Sequence, residues 1–276
     1  MSLSFTTSDG LALYGYHWPV DNPKAMMTLV HGFGEHAGRY ADMAAHLNAQ
    51  GIAVVAVDFR GHGQSPGPRG VIRDYNDFRM DLSALLEGSR MLYPKCTRVL
   101  FGHSMGGGIV LDHGLSEACD VCAVIASAPL IALAKPVPAP LRIVSKLMAK
   151  LTPKGVMSQP IDGSKISTLK SEQDIYVQDP LNHGKLGFRL AVEMVETGEA
   201  VAAKAEQWDA PLLLFHSRDD ALTGFAASED FAARAKHTVF HAMEGVAHEM
   251  HNDTTRQQVY GLISDFILTQ AKRPRA

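Results

Sequence analysis

Cysteine is scarce in this sequence of 276 residues, which contains only Cys96, Cys119 and Cys122. So few cysteines, in an odd number, exclude the disulfide framework that stabilises small secreted domains. Cys119 and Cys122 have the spacing of a redox pair or of half a zinc site, but no second pair accompanies them, so we expect buried structural thiols. The reducing cytoplasm is therefore the expected location.

The sequence also lacks a long basic run and a long apolar run. Its 26 Lys and Arg against 29 Asp and Glu give a net charge of −3, which excludes the electrostatic footprint of a nucleic-acid-binding protein. No uninterrupted apolar stretch reaches the length of a membrane span, and residues 1–9 do not have the pattern of a signal peptide. We therefore expect a soluble protein that does not bind nucleic acid.

Short apolar runs alternate with segments of helical periodicity through most of the chain. Two segments of alternating polarity around residues 8–10 predict an antiparallel hairpin at the start. Residues 25–30 and 52–57 are apolar runs typical of parallel strands that are covered on both faces. The predicted class is α/β, with a mostly parallel sheet flanked by helices.

The pattern Gly102-His103-Ser104-Met105-Gly106 lies between a predicted strand and a predicted helix. In a G-x-S-x-G turn the serine backbone is strained, and the two glycines remove Cβ atoms that would crowd the turn. The serine hydroxyl then projects above the carboxyl end of the sheet. Ser104 is therefore the predicted nucleophile of an acyl-transfer reaction.

A serine hydroxyl needs an imidazole to take its proton and a carboxylate to orient that imidazole. In this kind of chain the acid precedes the histidine, and it should follow the strand predicted at residues 211–215. Asp219 and Asp220 are both candidates there. We favour Asp220, because the longer loop lets its side chain turn toward the end of the sheet, whereas Asp219 would face solvent or cap the turn.

The histidine should lie between the last strand and the last helix. His248 follows small residues that allow close approach, so we favour it over His251, which adjoins predicted helix caps at Asn252 and Asp253, and over His241 on the strand. His248 and His251 are three residues apart, not four as in the H-E-x-x-H motif of a zinc helix. We therefore expect no catalytic metal and no cofactor.

An oxyanion hole requires main-chain N–H groups beside the serine. The loop after the first parallel strand, residues 31–34, is where one donor is expected, and we choose Phe33. Met105, at the start of the helix after the serine, is its predicted partner.

The strand and helix alternation is interrupted from residue 130 to 208, where prolines are frequent. We therefore divide the chain into a core of residues 1–129 and 209–276 and an inserted helical lid of residues 130–208. One face of a predicted lid helix is apolar and carries Leu141, Val144, Leu147, Met148 and Leu151. We expect this apolar face to be shielded from water. Either it packs on the body of the protein, or it lines an acyl channel or contacts a lipid surface.

Several motifs beyond the serine turn resemble the α/β-hydrolase superfamily, and within it the monoacylglycerol lipase and lysophospholipase branch. The resemblance covers nearly the whole chain. The motifs that carry it are His31-Gly-Phe-Gly-Glu-His36-x-Gly-Arg39-Tyr40, Asp58-x-x-Gly61-His62-Gly63-x-Ser65, Gly102-His-Ser-Met-Gly106-Gly and Asp179-Pro180-Leu181. The acid loop departs from the family, which more often has a glycine two or three residues before the acid, and the lid is the least similar part.

The resemblance implies a catalytic triad of Ser104, Asp220 and His248, with the N–H groups of Phe33 and Met105 as the oxyanion hole. It also implies that Glu35 and Arg39 lie near the head-group end of the site, where a glycerol moiety would be recognised. The alternative for Glu35 and Arg39 is a mutual salt bridge at the surface.

These observations predict a serine ester hydrolase of the α/β-hydrolase fold. We expect it to cleave monoacylglycerols or lysophospholipids through an acyl-enzyme, and the lid to contact a membrane surface transiently. One alternative is a carboxylesterase or perhydrolase that acts on small soluble esters. The other is a non-catalytic relative that binds a ligand.

Overall fold

An eight-stranded sheet forms the centre of the computed structural model, which describes residues 2–116 and 119–272. The strands, in chain order, are β1 (Ser2–Thr6), β2 (Ala12–Trp18), β3 (Ala25–Val30), β4 (Ile52–Val57), β5 (Arg98–His103), β6 (Ala123–Ser127), β7 (Val156–Ser158), β8 (Lys185–Gly187), β9 (Leu212–Ser217) and β10 (Thr238–Met243). The helices are α1 (Ala41–Ala49), α2 (Asn76–Leu92), α3 (Met105–Gly114), α4 (Ala139–Leu151), α5 (Gly163–Ile166), α6 (Lys170–Gln178), α7 (Phe188–Ala203), α8 (Phe225–Arg234) and α9 (Arg256–Ala271).

The strands of the central sheet follow the order β1-β2-β4-β3-β5-β6-β9-β10. The first two strands form the predicted antiparallel hairpin, and β2 also pairs with β4 in the antiparallel direction. From β4 to β10 all neighbouring strands run parallel. The predicted α/β class with a mostly parallel sheet is confirmed.

Helices cover both faces of this sheet, which is why its central strands are almost wholly apolar. Every residue of β3, β4, β6 and β9 is buried. Because successive side chains point to opposite faces, each strand contributes to two cores. One core lies under α2, α3, α7 and α8, and the other lies under α1 and α9.

The carboxyl ends of the parallel strands share one edge of the sheet. The loops after β3, β5 and β9 therefore meet at that edge, and these loops carry Phe33, Ser104 and Asp220. Such an edge is where open α/β sheets bind their ligands.

The segment between β6 and β9 contains four helices and a small antiparallel pair of strands, β7 and β8, in which Val156 lies opposite Gly187. The segment predicted to be helical thus also holds a short pair of strands, because three-residue strands are too short to show a period of two in the sequence. α4 lies beside α7, and Lys146 Nζ is 2.7 Å from Glu196 Oε1. None of the described helices is long and apolar enough to span a bilayer.

One of the alternatives for the apolar face of α4 is excluded. This face does not pack on the body of the protein, since Leu141, Val144, Leu147 and Leu151 are 53–66% exposed. The expectation of buried thiols fails in part. Cys122 is exposed at the start of β6, so it is not a buried thiol, whereas Cys96 and Cys119 are half-buried. No disulfide joins any of the three cysteines within residues 2–116 and 119–272.

Candidate active site

Ser104 occupies a strained turn between β5 and α3. Its φ of 55° and ψ of −117° are rarely adopted by a residue with a side chain. A Cβ on Gly102 would lie 2.3 Å from the Gly106 carbonyl oxygen, and a Cβ on Gly106 would lie 2.4 Å from the Val30 carbonyl oxygen. Only glycine fits on either side of the serine, so the turn holds Ser104 at the carboxyl edge of the sheet.

An imidazole and a carboxylate form a buried pair at the same edge. The His248 Nδ1–H donates to Asp220 Oδ2 over 2.6 Å, and both side chains are at most 3% exposed. Burial lowers the pKa of His248, but the Asp220 charge outweighs burial and raises that pKa above its ordinary value of 6.5. Because the proton is held on Nδ1, Nε2 is left to accept the serine proton.

The Asp220 carboxylate accepts four more hydrogen bonds. His216 Nε2 and the Thr223 hydroxyl lie 3.0 and 2.8 Å from Oδ2, and the N–H groups of Leu222 and Thr223 donate to Oδ1. Burial favours the neutral acid, but His248 and His216 outweigh burial and hold the pKa of Asp220 far below its usual range. Neither His216 nor Thr223 was predicted from the sequence, although a polar side chain within four residues of the acid was a usable signal.

Asp219 and Ser217 join the acid loop to the histidine loop. Asp219 Oδ2 accepts from the Gly245 N–H over 2.7 Å, and the Ser217 hydroxyl donates to the Val246 carbonyl over 2.5 Å. Ser217, three residues before Asp220, thus supplies a hydrogen bond between the two loops. Asp219 therefore bonds the backbone of the histidine loop, whereas Asp220 is the carboxylate that bonds the His248 imidazole.

The two other candidate histidines lie away from Asp220. His251 stacks on the Tyr40 ring at 4.9 Å, and neither of its ring nitrogens has a hydrogen-bond partner among residues 2–116 and 119–272. Burial lowers the pKa of His251 to about 4, so its ring is neutral at physiological pH. His241 lies within β10, upstream of the loop that carries His248.

The loop after β3 is ordered by one buried carboxylate. Glu35 Oε1 accepts from the Gly32 N–H over 2.5 Å and from the Tyr40 hydroxyl over 2.7 Å. The Phe33 ring lies edge-on to His62 and His183, with centroids 6.0 and 5.7 Å away. The loop thus has a fixed shape beside Ser104.

Glu35 and Arg39 form a buried ion pair rather than the surface pair considered above. Arg39 lies 2.7 Å from Glu35 Oε2 and makes two bonds of 2.5 and 2.8 Å to Glu249, and all three side chains are at most 5% exposed. The guanidinium also lies over the Tyr176 ring at 4.7 Å. Glu249 was not predicted from the sequence, although its position directly after His248 was a usable signal.

Ligand atoms of Glu35, His103 and Glu249 lie within 4.8 Å of one another, a spacing that could hold a metal ion. The Arg39 guanidinium already bonds both carboxylates and supplies the positive charge that a metal would bring. The chemistry of this group therefore fits a salt bridge better than a metal site.

A cavity of about 430 Å³ joins these groups. Ser104, His248, Phe33 and Met105 lie in its wall, and so does Glu35, but Arg39 is outside it. The remaining wall is largely apolar and comes mostly from the segment between β6 and β9, including Leu133, Val137, Leu186, Met194 and Val195. A volume of this order holds a small ligand with an apolar chain.

A serine on a strand-to-helix turn, with a carboxylate–imidazole pair at the same edge of a mostly parallel sheet, defines a serine hydrolase of the α/β-hydrolase fold. The comparison with protein families agrees. The model of the Hydrolase_4 family, described as serine aminopeptidase, S33, matches residues 21–255, and the chain belongs to this family.

Comparison with individual proteins shows similarity to monoacylglycerol lipases. The chain is 32% identical over 270 residues to a monoacylglycerol lipase of Mycolicibacterium smegmatis, covering 96% of each protein. It is 30% identical to the monoglyceride lipase of Homo sapiens over 251 residues, which cover 89% of this chain and 82% of the human protein. Among solved structures, the monoacylglycerol lipase of Paleococcus ferrophilus has a TM-score of 0.85 and 27% identity, covering 94% of this chain and 99% of that one.

Proposed function

We propose that this serine hydrolase cleaves the ester bond of monoacylglycerols. The observation that carries the proposal is the cavity, which is largely apolar along the segment between β6 and β9 and also has Ser104 and the buried Glu35 and Glu249 in its wall. An acyl chain suits the apolar part, and a hydroxyl-bearing head group suits the polar end. The names of the relatives support the same substrate class.

In the proposed reaction the Ser104 hydroxyl gives its proton to His248 Nε2 as its oxygen attacks the ester carbonyl carbon. The N–H groups of Phe33 and Met105 donate to the oxygen that becomes negative. His248 then protonates the departing glycerol oxygen, which leaves the acyl group on Ser104. Water, deprotonated by His248, attacks the acyl carbon. The bond to Ser104 Oγ then breaks, that oxygen takes the proton back from His248, and the fatty acid leaves, while Asp220 keeps the imidazole oriented.

Glu35 and Arg39 are proposed to shape the head-group end. Glu35 lies in the cavity wall and Arg39 does not, so a glycerol hydroxyl would contact Glu35 directly, and Arg39 would act through its bonds to Glu35 and Glu249. A carboxylate oxygen bonded to an arginine still accepts hydrogen bonds from hydroxyl groups.

Residues 130–208 are proposed to act as a lid that contacts a lipid surface from the cytoplasm. The apolar face of α4 points outward, with Leu147 and Leu151 53% and 66% exposed, and Lys146 and Lys150 lie on the same helix. Apolar side chains beside lysines favour the interface of anionic membranes. Three cysteines that form no disulfide within the described ranges support a reducing compartment.

The substrate is tested with a panel of purified esters. The panel should contain monoacylglycerols from acetyl to oleoyl, a lysophospholipid, p-nitrophenyl acetate and an amino-acid p-nitroanilide. We expect the highest kcat/KM on monoacylglycerols of medium or long chain, and no activity in Ser104→Ala. A preference for acetyl esters would favour a carboxylesterase. Cleavage of the anilide would favour the aminopeptidase chemistry named in the family description. Inactivity on every ester would indicate a non-catalytic relative that binds a ligand.

The lipid contact is tested separately. Leu147→Gln with Leu151→Gln should reduce binding to anionic vesicles and activity on aggregated monoacylglycerol, but leave activity on a dissolved short ester unchanged. Met91→Gln is a matched control, because Met91 is 74% exposed on α2 in the core. Equal vesicle binding by the double variant and the control would contradict the contact.

A further inference from the structure

One part of the proposed lid is hydrogen-bonded to the loop that carries His248. The His248 and Glu249 N–H groups donate to the Lys165 and Ile166 carbonyls over 3.2 and 2.8 Å. The Ser167 hydroxyl donates to a carbonyl further along the same loop over 2.8 Å. The backbone of the proposed base is thus fixed by residues outside the core sheet.

Asp253 strengthens this connection. The sequence suggested a helix cap, but the residue at the N-cap position of α9 is Thr255. The Asp253 carboxylate instead accepts from the Thr168 N–H over 2.7 Å, from the Thr168 hydroxyl, and from the Ala247 N–H over 3.0 Å. Asp253 is 1% exposed, so one buried carboxylate joins the lid to the residue before His248.

The same part of the lid also holds the loop that carries Phe33. The His183 N–H donates to the Gly34 carbonyl over 2.8 Å, and His36 Nε2 lies 2.8 Å from Asp179 Oδ2. The His183 ring packs against Phe33 at 5.7 Å. Asp179 is the first residue of the Asp179-Pro180-Leu181 motif, and no step of the proposed reaction involves this motif.

α4 is attached differently. Its ion pairs, Arg142 with Glu199 and Lys146 with Glu196, join it to α7 within the lid, and these side chains are 37–53% exposed. Residues 163–187, in contrast, bond to both loops of the proposed site, through the buried Asp253 carboxylate in one case and the 20% exposed Asp179 carboxylate in the other. We call residues 163–187 the brace.

We propose that the brace is part of the catalytic apparatus, with Asp253 and Asp179 as the positioning residues that connect it to the two loops of the proposed site. Asp253 sets the backbone of His248, and Asp179 sets the loop that presents the Phe33 N–H. This inference rests on the triad and oxyanion hole of the proposed function. It assigns the lid a role that does not depend on the size of the substrate, because both groups act on the reacting carbonyl of any ester.

The test compares Asp253→Asn and Asp179→Asn with Asp174→Asn. The control removes a carboxylate from the same brace, but that carboxylate pairs with Lys170 on its own helix and is 48% exposed. We expect kcat on both p-nitrophenyl acetate and decanoate to fall about 10- to 100-fold in the first two variants, because a displacement near 1 Å costs that much in rate. KM should stay within about twofold, since the acyl cavity is unchanged.

Folding and function are separated by counting active sites. Each variant is titrated to completion with a fluorophosphonate, and kcat is expressed per labelled serine, so unfolded protein does not contribute. In addition, His36→Gln and Asp179→Asn should be non-additive when combined, because they remove one interaction. A wild-type enzyme inactive on all esters would refute the proposed function. An active wild type whose Asp253→Asn and Asp179→Asn variants keep kcat, or lose it only on decanoate, would refute the brace.

Discussion

Replacing Asp220 by asparagine tests the buried pair with His248 while keeping the shape of the side chain. The carboxylate stabilises the imidazolium that forms when His248 takes the serine proton. Two unit charges about 4 Å apart, at an effective dielectric constant of about 20, attract by about 4 kcal/mol, which corresponds to about a thousandfold in rate. An amide that donates to Nδ1 would also select the wrong tautomer of His248, so we expect kcat to fall about 10³- to 10⁴-fold.

The assay is steady-state hydrolysis of p-nitrophenyl decanoate, with active sites counted by fluorophosphonate. Asp219→Asn is the matched control, because Asp219 accepts an N–H bond from Gly245, whereas Asp220 is the carboxylate bonded to His248. Loss of one such bond costs about 1 kcal/mol, so the control should keep activity to within about tenfold. If Asp220→Asn retained a tenth of the activity, or if Asp219→Asn were equally impaired, the assignment of the acid would be refuted.

Three further predictions concern individual contacts. Protonated His248 cannot accept the serine proton and its pKa is raised, so the acid limb of kcat/KM should have its midpoint above 6.5; a midpoint at or below 6.5 would contradict the effect of Asp220. Gly102→Ala would bring a Cβ within 2.3 Å of the Gly106 carbonyl and should destabilise the fold by about 3 kcal/mol in urea unfolding, whereas unchanged stability would argue against the tight turn. Arg60→Met leaves the fully buried Asp81 without its partner and should cost about 3–5 kcal/mol by the same measurement; a loss below about 1 kcal/mol would show that the pair is not needed.

The features that the sequence predicted well depend on neighbouring residues. The turn around Ser104 needs glycine two residues before and two residues after the serine. The central strands are recognisable as apolar runs because both faces of the sheet are covered. Asp220 and His248 were found because each follows a recognisable strand, and the structure brings their side chains together.

The features that it did not predict depend on residues far apart in the chain. Arg39 and Glu249 are separated by 210 positions, and Thr168 and Asp253 by 85, so no local pattern indicates their bonds. The helical period of α4 indicated an apolar face, but a period does not specify what covers that face. The structure leaves most of this face exposed, and Leu141 also lies in the cavity wall.

The central claim is that Ser104 is the nucleophile activated by His248. The most direct measurement is mass spectrometry of the protein after reaction with a fluorophosphonate, with the modified peptide sequenced, for wild type and for His248→Ala. We predict one adduct per chain on Ser104, formed rapidly in wild type and at least about a thousandfold more slowly in His248→Ala. An adduct on another residue, or labelling of Ser104 at the same rate without His248, would contradict the account.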